Sequence, residues 1–286
     1  MSALSRRVNY LLNNAASVIN RAFTAGANNS NTEKMTSFGF QQVSEKTKAT
    51  KVQEVFSSVA ANYDLMNDVM SLGLHRLWKD YFVTKLAPPT GSKIIDVAGG
   101  TGDIASRIVQ YSDRRVGGAE SSDEELQVTV VDINKEMLTE GEKRFKNNEN
   151  IKWVHGDALS LPFPSNHFDA YTIAFGIRNV SNFEQALSEA YRVIKEGGRY
   201  LCMEFSQVDN IALKSFYDAY SFQLIPVFGE LIAQDRPAYQ YLVESIREFP
   251  DQESFSNMIE GVGFVNVNYE SLLGGVVAIH SGFKPK

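Results

Sequence analysis

The sequence predicts an α/β fold: a seven-stranded, mostly parallel sheet with a C-terminal antiparallel hairpin and a helical lid inserted after its fifth strand. Three observations carry that expectation. The run Lys93-Ile94-Ile95-Asp96-Val97 leads into Ala98-Gly99-Gly100-Thr101-Gly102-Asp103 and then the helical stretch Ile104 to Val109, so strand, tight turn and helix start follow one another. Short apolar runs then alternate with amphipathic segments as far as Phe205. Finally, Phe264–Tyr269 and Val276–Ile279 form a closing pair around Gly274-Gly275.

Residues 1–32 contain Arg6, Arg7 and Arg21 and no acid, while Leu4, Val8, Leu11, Leu12, Ala15, Val18 and Ile19 recur at helical spacing. An acid-free, arginine-bearing amphipathic start is the composition of a mitochondrial presequence; the alternative is a plain tail. Residues 33–50, rich in Ser, Thr and polar side chains, read as linker, and 51–286 as the folded domain. From Val52 to Trp78, Gly73 should divide two short helices. Their apolar members suit packing, whereas Tyr63, Asn67 and His75 are polar groups able to hydrogen-bond the hydroxyls of a ring-shaped substrate.

At the glycine turn, Gly100 and Gly102 let backbone approach a ligand because they lack Cβ and accept positive φ. Backbone N–H groups at the following helix start then face the crevice at the carboxyl end of the first strand. Gly100-x-Gly102-x-x-Ala105 also fits the loose dinucleotide fingerprint, and a ligand-free turn is the plainer reading, so the turn does not name its ligand.

The second strand, Val128 to Val131, ends at Asp132, an acid able to take both ribose hydroxyls of an adenosine. It lies more than 30 residues after Gly99, against the usual separation of about 20. Ser112 to Leu126, with Gly117-Gly118 and the acids Glu120, Asp123, Glu124 and Glu125, accounts for the difference as a solvated surface insertion. The third strand, Ile151 to His155, leads to Asp157-Ala158; Asp157 suits an adenine amino group, or simply a turn. The fourth, Phe168 to Ala174, opens into Phe175-Gly176-Ile177-Arg178-Asn179. The helix Phe183 to Ile194 should stop at Gly197-Gly198, before the fifth strand, Arg199 to Phe205. Residues 206–250 interrupt the alternation with Phe216, Tyr217, Tyr220, Phe222, Phe228, Tyr239 and Tyr241. They read as a lid over a greasy substrate, or equally as aromatic core or a dimer contact.

Composition narrows the function classes. A net charge of −6 argues against nucleic acid as a partner, and Cys202, the single cysteine, excludes an internal disulfide. His75, His155, His167 and His280 lack paired spacing, so no metal is expected. No apolar run reaches the roughly 20 residues that cross a bilayer.

Three pieces together resemble the ubiquinone/menaquinone C-methyltransferases from about Val52 to the C-terminus. They are Tyr63-Asp64-x-Met66-Asn67-x-x-Met70-Ser71-x-x-x-His75-x-x-Trp78, Phe175 to Asn179, and Arg192-Val193-Ile194-Lys195-Glu196-Gly197-Gly198 continuing to Glu204-Phe205-Ser206. Glu196 stands where that family would carry proline. The resemblance implies the Rossmann-like class I methyltransferase fold and S-adenosylmethionine as methyl donor. Thr101, Asp132, Asp157 and Ala158 would be its contacts, with Asp96, Gly99, Gly100 and Gly102 shaping the turn. It also implies C-methylation of a polyprenylated methoxy-benzoquinol in ubiquinone biosynthesis. The location would be the matrix side of the mitochondrial inner membrane, as a peripheral protein in a complex with other ubiquinone-pathway proteins.

That chemistry assigns roles to residues. A ring carbon is a weak nucleophile until a neighbouring hydroxyl is deprotonated, so a fixed cationic donor is needed for the phenolate. Arg178 is the candidate, with Asn179 beside it; the competing reading is an arginine bridging Asp157 or Glu204. Tyr220 and its lid neighbours would hold the polyprenyl tail, and the same aromatic face could serve a homodimer. The competing functions are an NAD-dependent oxidoreductase on a similar sheet and a catalytically silent scaffold.

Overall fold

The structure, a computed structural model, describes residues 34–59, 63–116, 125–208 and 211–286. The presequence reading of 1–32 therefore lies outside the described residues, as do 117–124 of the expected surface insertion.

The first elements correct the linker reading of 33–50. Met35–Phe38 (β1) pairs antiparallel with Gln41–Ser44 (β2), and Glu45–Val59 is a helix (α1). Phe38 opposes Gln41, leaving a two-residue loop in which Gly39 takes φ 55°, a hairpin turn that glycine permits. Polar composition hid it, because strands this short are held by contacts elsewhere in the domain. The Thr36 hydroxyl donates to the Ser181 carbonyl at 3.0 Å, the Phe40 N–H to Glu244 at 3.1 Å, and the Phe38 ring stacks on Tyr241.

Tyr63–Ser71 (α2) and Leu74–Leu86 (α3) are separated as expected, with left-handed Leu72 and Gly73 between them. Then the alternation begins: Lys93–Val97 (β3), Asp103–Val116 (α4), Gln127–Asp132 (β4), Lys135–Arg144 (α5), Ile151–His155 (β5) and Phe168–Ala174 (β6). A single helical turn, Ile177–Asn179, precedes Phe183–Val193 (α6) and Ile194–Phe205 (β7). The glycines do not end α6. The strand begins at Ile194, and Gly197-Gly198 instead fall where its pairing with β6 slips between Phe168 and Ala170.

The insert after β7 is helical: Ile211–Ala219 (α7), π-helical turns at Tyr220–Leu224 and Gly229–Ala233 around Ile225–Phe228 (α8), then Arg236–Glu248 (α9). Gln252–Gly261 (α10), Val265–Leu272 (β8) and Val277–Phe283 (β9) finish the chain. Side-chain caps set several helix starts, Asn134 accepting from the Met137 N–H and Asn182 from the Gln185 N–H.

The sheet order is β5-β4-β3-β6-β7-β9-β8, with β9 antiparallel to both neighbours and the rest parallel, as the sequence predicts. The core lies on both faces. Ile94, Val128, Val130, Leu201 and Met203 pack with Phe82 of α3 and Ile108 of α4. Ile95, Val97, Val131, Tyr200 and Cys202 pack with Leu187 of α6 and Phe255 of α10. Successive strand residues point to opposite faces, so two-sided burial needs continuous apolar runs. The order reverses between β3 and β6, which opens a crevice at their carboxyl ends.

Candidate active site

The crevice at that reversal encloses about 150 Å³. Asp96, Gly99, Gly100, Thr101, Asp132, Asp157, Ala158 and Asn179 all line it, as do Ala49, Val52 and Phe56 of α1. Gly102 sits behind the turn at φ 78°, and a Cβ there would overlap the Trp153 ring.

Electrostatics define what this crevice accepts. Asp132 takes the Gly100 N–H on Oδ2 at 2.9 Å and the Asn134 N–H on Oδ1 at 2.8 Å. Burial pushes its pKa up, and those N–H groups oppose the rise. Asp96 accepts the Thr172 hydroxyl on Oδ1 at 2.8 Å, while its Oδ2 is buried without a partner. Burial raises Asp96 to about 7 against the Thr172 bond. Asp157 turns Oδ1 onto the Leu159 N–H at 2.9 Å, the turn contact that the sequence allowed, yet remains on the crevice wall.

The turn's glycine N–H groups are already occupied: Gly99 donates to the Val131 carbonyl, Gly100 to Asp132 and Gly102 to the Gly99 carbonyl. Asp96, Asp103, Asp132 and Asp157 therefore face the space with Lys79 alone among its lining cations, and Lys79 Nζ is paired with Asp103 at 2.7 Å. Such a wall favours a cationic ligand with hydroxyls and disfavours a pyrophosphate.

A second cavity of about 470 Å³ lies beyond it. Phe56, Lys79, Phe175 and Asn179 line both spaces. Phe175 carries φ 57°, and Ala98 at the end of β3 carries φ 52°. Left-handed non-glycine residues each store about 1–3 kcal/mol, and both stand where the strands meet the crevice. Asn67, His75, Arg178 and Tyr220 line the larger cavity, together with Trp78, Phe205, Tyr217 and Tyr241. The Tyr63 side chain lies outside the described residues.

Arg178 does bridge Glu204, as the competing reading held, and not Asp157. Its Nη1 donates to Glu204 Oε1 at 2.7 Å and to the Phe175 carbonyl at 2.6 Å, and both side chains are buried. Burial pushes Glu204 up, with Arg178 opposing. The Arg178 Nε is buried with no partner, so the residue is an ion pair that still carries one unanswered donor. Asn179 Oδ1 accepts the Tyr241 hydroxyl at 3.0 Å, and the Tyr220 hydroxyl donates to the Met70 carbonyl at 3.1 Å.

Sequence reasoning missed Lys79, Asp103 and Lys48. Buried Lys48 donates from Nζ to the Val180 carbonyl at 2.9 Å and the Arg178 carbonyl at 3.3 Å, fixing the turn that presents Arg178. Burial first, then Arg178, lowers its pKa to about 8. The signal was there: Lys48, Val52 and Phe56 recur every four residues, one face of a helix.

A model described as the ubiE/COQ5 methyltransferase family matches residues 43–284. Relatives named mitochondrial 2-methoxy-6-polyprenyl-1,4-benzoquinol methylase include one from Oryza sativa subsp. japonica, 56% identical over 259 residues and covering 87% of this chain and 88% of its own. Another, from Danio rerio, is 51% identical over 304 residues, covering 97% and 92%. The Homo sapiens relative is 52% identical over 275 residues, covering 87% and 84%. Among solved structures, an S-adenosylmethionine-dependent methyltransferase of Thermotoga maritima, described as a possible histamine N-methyltransferase, aligns with a TM-score of 0.56. It is 17% identical and covers 82% of this chain and 99% of its own, so it speaks for the fold.

Proposed function

The chain belongs to the ubiE/COQ5 methyltransferase family, and from that membership we propose that it C-methylates a polyprenylated methoxy-benzoquinol in ubiquinone biosynthesis, using S-adenosylmethionine. One observation carries the reading: an anionic crevice lined by Asp132 shares Phe56, Lys79, Phe175 and Asn179 with a large apolar cavity. A nicotinamide dinucleotide would bring its pyrophosphate against four carboxylates and a turn whose glycine N–H groups are taken. Methyl transfer is thus favoured over the oxidoreductase, and family membership favours it over a silent scaffold.

Bound S-adenosylmethionine supplies a methyl group on a positively charged sulfur. The chain positions and protects. Asp132 would take the ribose hydroxyls, Asp157 and Ala158 would meet the adenine, and Thr101 and the glycine turn would shape the floor. Asp96 offers a buried carboxylate oxygen to positive charge. Among the described residues no group of three or more His, Cys, Asp or Glu is arranged for a metal.

Calorimetric titration tests the cofactor. S-adenosylmethionine should bind and NAD should not. Asp132→Ala should weaken binding at least tenfold, since each charge-assisted hydrogen bond lost is worth about 1.5–3 kcal/mol. Equal affinity in a folded Asp132→Ala variant would remove that residue from the site, and binding of NAD alone would overturn the reading.

Tyr220 lines the apolar cavity, whereas Phe222 stacks on Phe40 with ring centroids 6.3 Å apart and belongs to the lid's packing. Burying a CH₂ contributes about 0.8 kcal/mol, so a few isoprene units dominate substrate affinity. Tyr220→Ala should therefore raise KM more for long-tailed than for short-tailed quinols, and Phe222→Ala should affect both alike. Equal losses with Tyr220→Ala would move the tail elsewhere.

Location follows from the substrate's insolubility. We place the enzyme peripherally on the matrix face of the inner membrane with other ubiquinone-pathway proteins, and keep a homodimer as one of its contacts. No described helix is long and apolar enough to cross a bilayer. Cleavage of the presequence should fall between Thr24 and Lys34, because β1 begins at Met35 and is hydrogen-bonded into the domain. Protein recovered from mitochondria should start in that window and leave the membrane on carbonate washing. An intact Met1 or a cytosolic pool would exclude this address.

A further inference from the structure

The apolar cavity has a mouth, and its rim is made of leucines. Leu72, Leu213 and Leu273 line the cavity of about 470 Å³ and are nonetheless 82%, 38% and 52% exposed. They come from three separate segments: the turn between α2 and α3, helix α7, and the turn that follows β8. The Leu213 tip reaches the last of these, since a Cβ on Gly274 would stand 2.8 Å from Leu213 Cδ2. Two of the three also carry backbone strain, Leu72 at φ 51° and Leu273 at φ 47°. Neither gains enough burial from the folded chain to offset that cost. Strain and exposure at one opening point to something outside the chain that covers it.

Charge around the mouth says what suits it. Every acid with a described side chain on α2, α3, α7 and β8 is paired with a cation: Asp68 with Arg76, Asp80 with Arg107, Asp218 with Arg247 and Glu270 with Lys85. These elements therefore bring no unpaired carboxylate to the mouth among the described residues. Lys214, beside Leu213 on α7, is exposed. Apolar side chains among paired charges, with a lysine to meet phosphate, fit the boundary between lipid headgroups and acyl chains. A cavity of this size encloses a drug-sized molecule, so it takes an aromatic ring and the start of a tail. The rest of a polyprenyl tail must pass out between the leucines.

We infer that this leucine-rimmed mouth seats on a lipid bilayer, and that the quinol enters the cavity ring first from the membrane while its tail stays partly in lipid. The tail's part in this rests on the methyl-transfer reading above, whereas contact with lipid is measured without turnover. Affinity should then rise with tail length only until the tail reaches the leucines. Later units remain among acyl chains before and after binding, so they bury no further surface.

The test uses the full chain and phosphatidylcholine vesicles. Asparagine accepts the left-handed conformation more readily than leucine, so Leu72→Asn and Leu273→Asn should fold with undiminished stability. Both should keep S-adenosylmethionine binding by calorimetry, because neither residue lines the cofactor crevice. Each should weaken vesicle partition about tenfold, the order expected when one leucine loses its apolar surroundings. Residues 1–32 are common to wild type and variants, so a difference between them belongs to the rim. KM for a long-tailed quinol held in vesicles should rise more than KM for a short-tailed quinol in solution. Adding phosphatidylglycerol should tighten binding of wild type more than of Lys214→Gln.

A second measurement does not depend on those variants. Leu213→Trp, at a helical position, should fluoresce in a way that vesicles with brominated acyl chains quench, beyond any quenching of Trp78 and Trp153 in wild type. Unchanged partition of a folded Leu72→Asn/Leu273→Asn protein, or no added quenching in Leu213→Trp, would overturn the seat on lipid. Wild type sedimenting as a dimer and Leu72→Asn/Leu273→Asn as a monomer, with vesicles bound by neither, would give the mouth to a second copy instead. Rim-dependent partition and quenching in a protein that methylates no quinol would leave the lipid seat standing and defeat only the substrate reading.

Discussion

Arg178→Ala should lose about 3–5 kcal/mol of stability and about 10²–10³ in kcat, whereas Arg178→Lys should lose mainly the rate. Two jobs meet in one side chain. Arg178 and Glu204 are 6% and 1% exposed, so alanine leaves a buried carboxylate with no opposite charge and only the backbone N–H groups of residue 178 and Phe205 as partners. Burial already raises the Glu204 pKa, and without the guanidinium it rises further. A carboxyl whose folded pKa lies above its unfolded value stabilises the fold at low pH and loses that contribution as pH rises through the folded pKa. The alanine variant should therefore approach wild-type stability as pH falls. Lysine keeps a charge opposite Glu204 but loses the planar fork that reaches Glu204 and the Phe175 carbonyl together. Denaturant melts at several pH values, with single-turnover methyl transfer at saturating cofactor, separate the two roles. A stable Arg178→Lys enzyme with near-normal kcat would leave the residue purely structural.

The sheet was legible because its strands are buried on both faces. Ile94-Ile95 and Leu201-Cys202-Met203 must be apolar throughout to sit between two helical layers, and such runs stand out in a sequence. The glycine turn was equally visible, since the chain cannot make it with most other residues. What the sequence hid is what distant segments supply. The β1–β2 hairpin is polar because packing on α9 steadies it, as the Phe38–Tyr241 stack shows. The Arg178–Glu204 pair could be named only as one alternative, because which acid an arginine reaches depends on how β6 and β7 align. Lys48 is a charged residue serving as a buried clamp, and its partners are carbonyls that have no signature at all. The crevice's charge could not be read from the overall net charge, because burial concentrates Asp96, Asp103, Asp132 and Asp157 on one wall.

Stability should fall by about 4 kcal/mol between pH 4 and pH 8 through Asp96 alone, and Asp96→Asn should abolish that component. The carboxyl is raised from 3.8 to about 7, chiefly by burial, and Oδ2 has no partner to offset the loss of water. A shift of about 3 units corresponds to about 4 kcal/mol at roughly 1.36 kcal/mol per unit. The folded state binds this proton more tightly than the unfolded state, so its contribution is full below pH 4 and lost as pH climbs through 7. His280 acts the other way over part of the range. Burial lowers it from 6.5 to about 4, so the unfolded chain holds more protons between those values and stability rises with pH there. Only the difference between wild type and Asp96→Asn isolates the carboxyl. Their denaturation free energies, compared at pH 4, 5, 6, 7 and 8, should differ in slope up to about pH 7 and run parallel above it; curves parallel at every pH would mean Asp96 is ionised throughout. Calorimetry gives the functional counterpart. A cationic ligand in this crevice stabilises the ionised carboxylate, so binding near pH 7 should release protons in wild type and release fewer in Asp96→Asn. A buried carboxylate with one oxygen unpartnered opposes folding of the empty protein, and positive charge delivered to the crevice would answer it.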